Sequence, residues 1–343
     1  ARRSCLVGSE MCIRDSLNSV HTFANDPERG LFILIFLFIL IFLSILIFFF
    51  FHKDNDRKSY SFFWLSKETS ILINNWFMMY FLSVVLIGTV YPIFLDVISS
   101  QKISVGPPFY HKLIIPFLIP FLFMMAIGPK LKWIKSQLED KIYLISFLII
   151  SILLAFLVLK NFNQNILINT ILISSALYLF FITLRDFFVK KYKNISQNIA
   201  HFGFSLLILS ILFNNIFASE IITNLKVGET FENSKTKIVF ESVDKKKEQN
   251  YNAIIANFSI SNLNGEEDRF SPELRIYNQP VIATSEADIK TTLMSDKFIV
   301  INLVQNQDFF NVRYQVKPFM LWIWLSVILI SFAGIVSFLQ KRL

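Results

Sequence analysis

The sequence predicts an α-helical multi-pass membrane protein with about seven transmembrane helices and a small extracytoplasmic β-rich domain inserted before the last helix. Three observations predict it. Apolar side chains make up 54% of the 343 residues and mean hydropathy is +0.54, too apolar for one soluble domain. The 39 Phe are concentrated in apolar runs, the longest of which suffice to cross a hydrocarbon layer. Between the last two runs lies a stretch of about 100 residues with a different texture, polar and alternating. The formal charge of +8 would suit a nucleic-acid binder, but Lys and Arg stand in short clusters between apolar runs. No nucleic-acid partner is expected, and the charge reads as membrane topology.

Residues 1–16, ARRSCLVGSEMCIRDS, have neither the apolar core of a signal peptide nor any periodicity. They read as translated sequencing adaptor, a non-native segment joined to a truncated frame, so the true N-terminal part is expected to be missing. Both cysteines, Cys5 and Cys12, fall inside it. With no CxxC pair and no disulfide framework, the chain is neither a thiol oxidoreductase nor a c-type cytochrome.

Residues 17–218 are expected to form a transmembrane region with six helices. A polar loop, 17–30, carries His21, and the uninterrupted apolar run 31–51 follows it. Further spans are predicted at roughly 74–95, 112–128, 142–160, 165–184 and 200–218. A seventh, 319–339, belongs to a closing segment, 318–343, of transmembrane helix and cytoplasmic tail. Orientation comes from the basic residues. Loops after spans one, three and five carry clusters such as Lys53, Arg57 and Lys58, or Lys190, Lys191 and Lys193. Those after spans two and four carry only Lys102, Lys112 and Lys160. Basic loops lie in the cytoplasm, which puts His21 and residues 219–317 outside and His201 near the cytoplasmic end of span six.

The outer segment, 219–317, is predicted to be a small antiparallel sandwich or barrel. KIVFESV (237–243), AIIANFSIS (253–261), FIVINLV (298–304) and NVRYQV (311–316) are β-branched and alternating. Asn264-Gly265 is a hairpin-turn dipeptide, and Lys245, Lys246 and Lys247 are expected to cap a solvated turn.

The residue that stands out is His201, in QNIAHFGFSLLIL (197–209), the one histidine inside an apolar span. Ionisable groups in a span are costly, so an intramembrane histidine is a candidate for metal or haem ligation. An interfacial histidine bonded to a neighbouring helix carbonyl explains it equally well. Gly203, two residues on, would let a planar cofactor or another helix approach closely. His21 in its outer loop could simply be solvated, and His52 and His111 are expected at the interfaces. Asn74-Asn75 and Asn214-Asn215 read as helix-end hydrogen-bonding pairs, and Trp322 and Trp324 as part of an aromatic belt. Phosphate loop, catalytic triad, zinc spacing and dinucleotide fingerprint are all missing after residue 16, so a soluble-enzyme reading has no support.

Several segments in order carry a resemblance: SVHTFANDPERGLFIL (19–34), SKETSILINN (66–75), GTVYPIF (88–94), VGPPFY (105–110), AHFGFSLLILSI (200–211), NYNA (250–253), SPELRIY (271–277), TSEADI (284–289) and VRYQVKPFMLWIW (312–324). Together they resemble the C-terminal part of the CcmF family of cytochrome c-type biogenesis proteins, the haem lyase subunit of the cytochrome c maturation system. The resemblance implies a membrane enzyme that accepts haem from the CcmE chaperone and works with CcmH-type and CcmI-type subunits. It would join the haem covalently to the CxxCH thiols of apocytochrome c outside the membrane. It implies that His201, in the AHxG motif, is an axial ligand of an internal haem b supplied with electrons by quinol. It implies that His21, in the SVH motif, is a ligand of the external haem. No catalytic residue is assigned. The Trp-rich segment and the partner ligands of the family belong upstream of residue 17, so the piece alone is expected to be inactive. The setting implied is a bacterial inner membrane with the long loop in the periplasm, or alternatively a mitochondrial inner membrane. The rival readings are a membrane haem transporter and a non-enzymatic assembly scaffold.

Overall fold

A computed structural model describes residues 27–51, 63–99, 105–134, 141–160, 166–189, 194–234, 236–262, 267–279, 281–303 and 308–340. Seven helices in it are long and apolar enough to cross a membrane: α1 (Pro27–Phe51), α2 (Lys67–Ser99), α3 (Pro107–Ile127), α4 (Lys141–Leu159), α5 (Ile166–Phe188), α6 (Ile195–Phe217) and α7 (Met320–Gln340). With the β-domain between α6 and α7, this is the multi-pass helical architecture with an inserted β-domain. The chain divides into two units, Ala1–Ser146 and Phe147–Leu343, with the boundary inside α4.

In the first unit α2 and α3 pack through aromatic rings. Tyr80 and Phe117 have centroids 4.1 Å apart, and Phe81 meets Phe121 edge-on at 5.5 Å. Pro116 and Pro120 inside α3 each remove a backbone donor, and the Tyr80 hydroxyl donates to the Leu113 carbonyl at 3.0 Å beside that loosened ladder. α2 begins at Lys67, ahead of the apolar run predicted to open at Asn74. Ser66 is the reason: its hydroxyl accepts the Thr69 N–H at 3.2 Å, a helix N-cap. Asn74 and Asn75 therefore lie inside α2, not at its end. The same end is tied to the loop after the 3-10 turn Gly128–Lys130, where the Glu68 carboxylate accepts the Ile134 N–H at 2.9 Å.

In the second unit α5 is largely buried, and α6 packs on α5 along one side and on α7 along another. α5 runs through Phe188, past the predicted limit of 184, because Leu184-Arg185-Asp186-Phe187-Phe188 ends its apolar run but contains no helix breaker. The β-domain is a sandwich of two antiparallel sheets. One has the order β1-β10-β9-β8, the other β2-β3-β4-β6-β7, with β5 paired to β4. Their ranges are β1 Ser219–Leu225, β2 Thr230–Glu232, β3 Thr236–Lys247, β4 Tyr251–Asn262, β5 Glu267–Phe270, β6 Glu273–Tyr277, β7 Ala283–Glu286, β8 Asp288–Thr291, β9 Ser295–Leu303 and β10 Phe310–Pro318. Alternate residues of the long strands point inward: Ile238, Phe240, Phe258, Ile260, Ile299, Ile301, Val312 and Tyr314 are all buried, with Phe240 stacked on Phe258 at 4.5 Å. Lys245, Lys246 and Lys247 end β3 and are exposed. Asn264-Gly265 lies outside the described residues.

Register fixes how the sandwich joins its helices. β1 follows α6 almost directly, β10 runs almost directly into α7, and Ser219 pairs with Val316 in the β1–β10 ladder. The end of α6 and the start of α7 are therefore neighbours. Asn214 donates from Nδ2 to the Pro318 carbonyl at 2.6 Å, the Phe213 and Phe319 rings lie 5.6 Å apart, and the Phe319 N–H donates to the Met294 carbonyl at 2.8 Å. Held on these sides, Phe319 adopts φ +61°, a left-handed conformation that a phenylalanine takes only when its surroundings impose it.

Candidate functional site

α6 is capped by Asn194, whose side-chain oxygen accepts the Gln197 N–H, and it continues for 23 residues to Phe217. His201 is in its second turn. Sixteen residue steps take it to Phe217, about 24 Å at the α-helical rise, so it lies far from the sandwich along α6. Asn198, one turn before His201, donates from Nδ2 to the Asp186 carbonyl of α5 at 3.4 Å, and the Phe202 ring packs on Phe180 and Phe187 of α5 at 5.3 and 5.6 Å. This side of α6 is filled by α5.

The side facing α7 is organised by Gly203. A Cβ there would lie 2.9 Å from Ile330 Cγ1, 3.2 Å from the Ser326 carbonyl oxygen and 3.3 Å from the Ile330 nitrogen. Two of those three atoms are α7 backbone. Of the two uses open to Gly203, the close approach of a helix is the one the structure adopts, and the glycine lets α7 seat against α6. Residues two apart on a helix are about 200° apart, so His201 lies on the opposite side of α6 from α7. It heads a stripe with Phe204 and Ile208, at i, i+3 and i+7, all three half-buried. This is a single imidazole with an aromatic and an aliphatic neighbour on one helix face. Among the described residues no group of three or more His, Cys, Asp or Glu side chains is placed to hold a bare metal ion. An axial haem ligand needs no such group: one neutral imidazole per axial position is enough, with apolar walls for the macrocycle. The donor and its neighbours fit.

His21 and His52 lie outside the described residues. His111, in the first turns of α3, is exposed. Asp186, buried on α5 near Asn198, is a residue that sequence reasoning missed. It lies just past the predicted limit of 184, beside Arg185, and only the continuation of α5 places it in the helix packing.

Residues 216–318 match a family model described as the CcmF C-terminal β-sandwich. The chain is 28% identical to the cytochrome c-type biogenesis protein CcmF of Pseudomonas fluorescens over 343 residues, covering 95% of this chain and 51% of that protein. The chain is homologous to the C-terminal part of CcmF. CcmF of Pseudomonas aeruginosa is 26% identical, with 98% of this chain and 53% of that protein covered. The solved structure of a cytochrome c haem lyase CcmF superposes with a TM-score of 0.61 at 19% identity, over 80% of this chain and 46% of that one, a likeness of fold. The chain thus spans about half the length of the curated CcmF relatives it matches. Both the family model and the two-sheet architecture decide for a sandwich over a barrel in 219–317.

Proposed function

We propose that the chain is the C-terminal part of a cytochrome c haem lyase subunit in a bacterial inner membrane. The sandwich would face the periplasm and His201 would lie near the cytoplasmic side. The observation that carries the proposal is the continuity of the match to CcmF, which runs through the helices and the sandwich alike. The basic loops support the orientation.

In this reading the haem to be attached is substrate, delivered by the CcmE chaperone and joined at its vinyl groups to the thiols of a CxxCH motif in apocytochrome c. Each thiol adds across a vinyl group, sulfur to one carbon and hydrogen to the other. The thiols are the substrate's, since no cysteine follows Cys12 in the chain. CcmH-type and CcmI-type subunits would present the apocytochrome, and His21 would ligate the arriving haem from the outer loop.

His201 would hold the iron of a resident haem b, with Phe204 and Ile208 excluding water beside it. When bound, that haem supplies a one-electron couple, with quinol as its source of electrons. The chain's own contribution is placement. Asn198 and Phe202 brace α6 on α5, Gly203 braces it on α7, and the imidazole is left on the remaining side.

The test is His201→Ala in the longest natural form of the protein, purified from membranes and read by a reduced-minus-oxidised haem spectrum. The haem b band is expected to be lost while protein yield is kept. Retention of the full band in that variant would falsify the assignment of His201. A scaffold predicts no haem in the unmutated protein, and a transporter predicts haem export without attachment.

A further inference from the structure

The turn between β8 and β9 closes on itself. The Thr292 N–H donates to the Ser295 carbonyl at 2.9 Å, and the Ser295 N–H donates to the Thr292 hydroxyl at 3.1 Å. At its tip stand two large apolar side chains, Leu293 at 62% and Met294 at 58% exposure. A tip of this kind normally carries Asn, Gly or Asp.

Its height is fixed by backbone contacts to α7. Trp322, the third residue of α7, donates from Nε1 to the Leu293 carbonyl at 3.0 Å, and the Phe319 N–H, just before the helix, donates to the Met294 carbonyl at 2.8 Å. α7 has 21 residues, hence a length of about 31 Å against a hydrocarbon layer of about 30 Å. The first turn of such a helix sits where acyl chains meet headgroups, and a carbonyl bonded to Trp322 sits there with it. Trp324, 63% exposed, continues the apolar surface along α7.

We propose that the β8–β9 turn is a lipid anchor, inserting Leu293 and Met294 into the headgroup–acyl boundary of the bilayer that surrounds α7. Lipid is the occupant because the tip is continuous with the exposed apolar surface of a helix long and apolar enough to cross a membrane and lies level with its first turn. The sandwich is then held at three points, by α6, by α7 and by this turn, which stops it from tilting about the α6–α7 pair. The proposal is independent of what the protein does with haem.

Nitroxide labels test it on the longest natural form of the protein in vesicles of phosphatidylethanolamine and phosphatidylglycerol, with every native cysteine replaced by serine as background. Leu293→Cys and Met294→Cys are compared with Leu303→Cys, at the far end of β9, 44% exposed. Eight residue steps from Ser295 to Leu303 place that reference about 26 Å away along the strand. The ratio of collision with lipid-soluble oxygen to collision with a water-soluble nickel chelate is expected to be several-fold higher at 293 and 294 than at 303. Equal ratios at all three positions overturn the proposal. So does shielding of 293 and 294 from both reagents, which would mean that protein covers the tip.

Discussion

Gly203 shows how one residue sets the distance between two helices. An alanine there gains helix propensity of about 1 kcal/mol over glycine, but its Cβ must displace α7 backbone at 3.2 and 3.3 Å, so the two effects oppose each other. A larger side chain has no such balance. Gly203→Leu is expected to destabilise the α6–α7 contact by roughly 1–3 kcal/mol, as overpacked cores do. A fall in the thermal midpoint of the detergent-solubilised protein is the readout, and an unchanged midpoint would show that α7 yields freely. The sequence made Gly203 visible but left its partner open. Ile330 lies far downstream, beyond the whole β-domain, and no local pattern connects the two. His201 was legible for the opposite reason: a polar ring in an apolar run is conspicuous without knowledge of any neighbour.

At the scale of the strand, Asp268 of β5 ties one sheet of the sandwich to the other. Lys297 of β9, with a side chain only 15% exposed, donates to it at 2.6 Å, and the Lys290 ammonium of β8 lies 3.7 Å from its other oxygen. The hydrogen bond from Lys297 holds the Asp268 carboxyl below its usual range. Tyr314 of β10, buried near it, has its hydroxyl pushed up to about 12, first by burial and then by the negative charge of Asp268. The two shifts act at opposite ends of the pH scale. A depressed carboxyl contributes stability above its unfolded value near pH 4, and the contribution is lost as pH falls through the lower folded value. A raised phenol contributes stability that is complete below about pH 10 and is lost as pH rises through about 12. Far-UV circular dichroism against denaturant should therefore show a plateau between those limits. Asp268→Asn is expected to lower the plateau by roughly 1–3 kcal/mol, because Lys297 loses its charged partner, and to flatten the acid limb. An acid limb of unchanged slope would place the pH dependence elsewhere. Strand alternation made β3, β4, β9 and β10 readable in sequence. The β1–β10 pairing was not, since register between strands about 90 residues apart is decided by which faces meet in the core.

At the scale of the whole molecule, the helix pattern was legible because a lipid environment demands long apolar runs, while helix ends were not, because hydropathy stops before the hydrogen-bond ladder does. α2 and α5 both extend beyond their apolar stretches. The functional reading depends on two histidines with different duties, and that difference is testable. If His21 serves only the arriving haem, His21→Ala in the longest natural form should abolish covalent haem attachment to a CxxCH apocytochrome while leaving the internal haem b spectrum at full strength. If His201 serves only the resident haem, His201→Ala should remove that spectrum. The reason is chemical: a substrate haem must arrive and leave, so its ligand can be lost without unloading a cofactor held by another imidazole. The measurement is holocytochrome yield and haem b content in the same membranes for both variants. Simultaneous loss of haem b in His21→Ala would mean that one histidine pair serves a single haem, and the division of labour between His21 and His201 would fall.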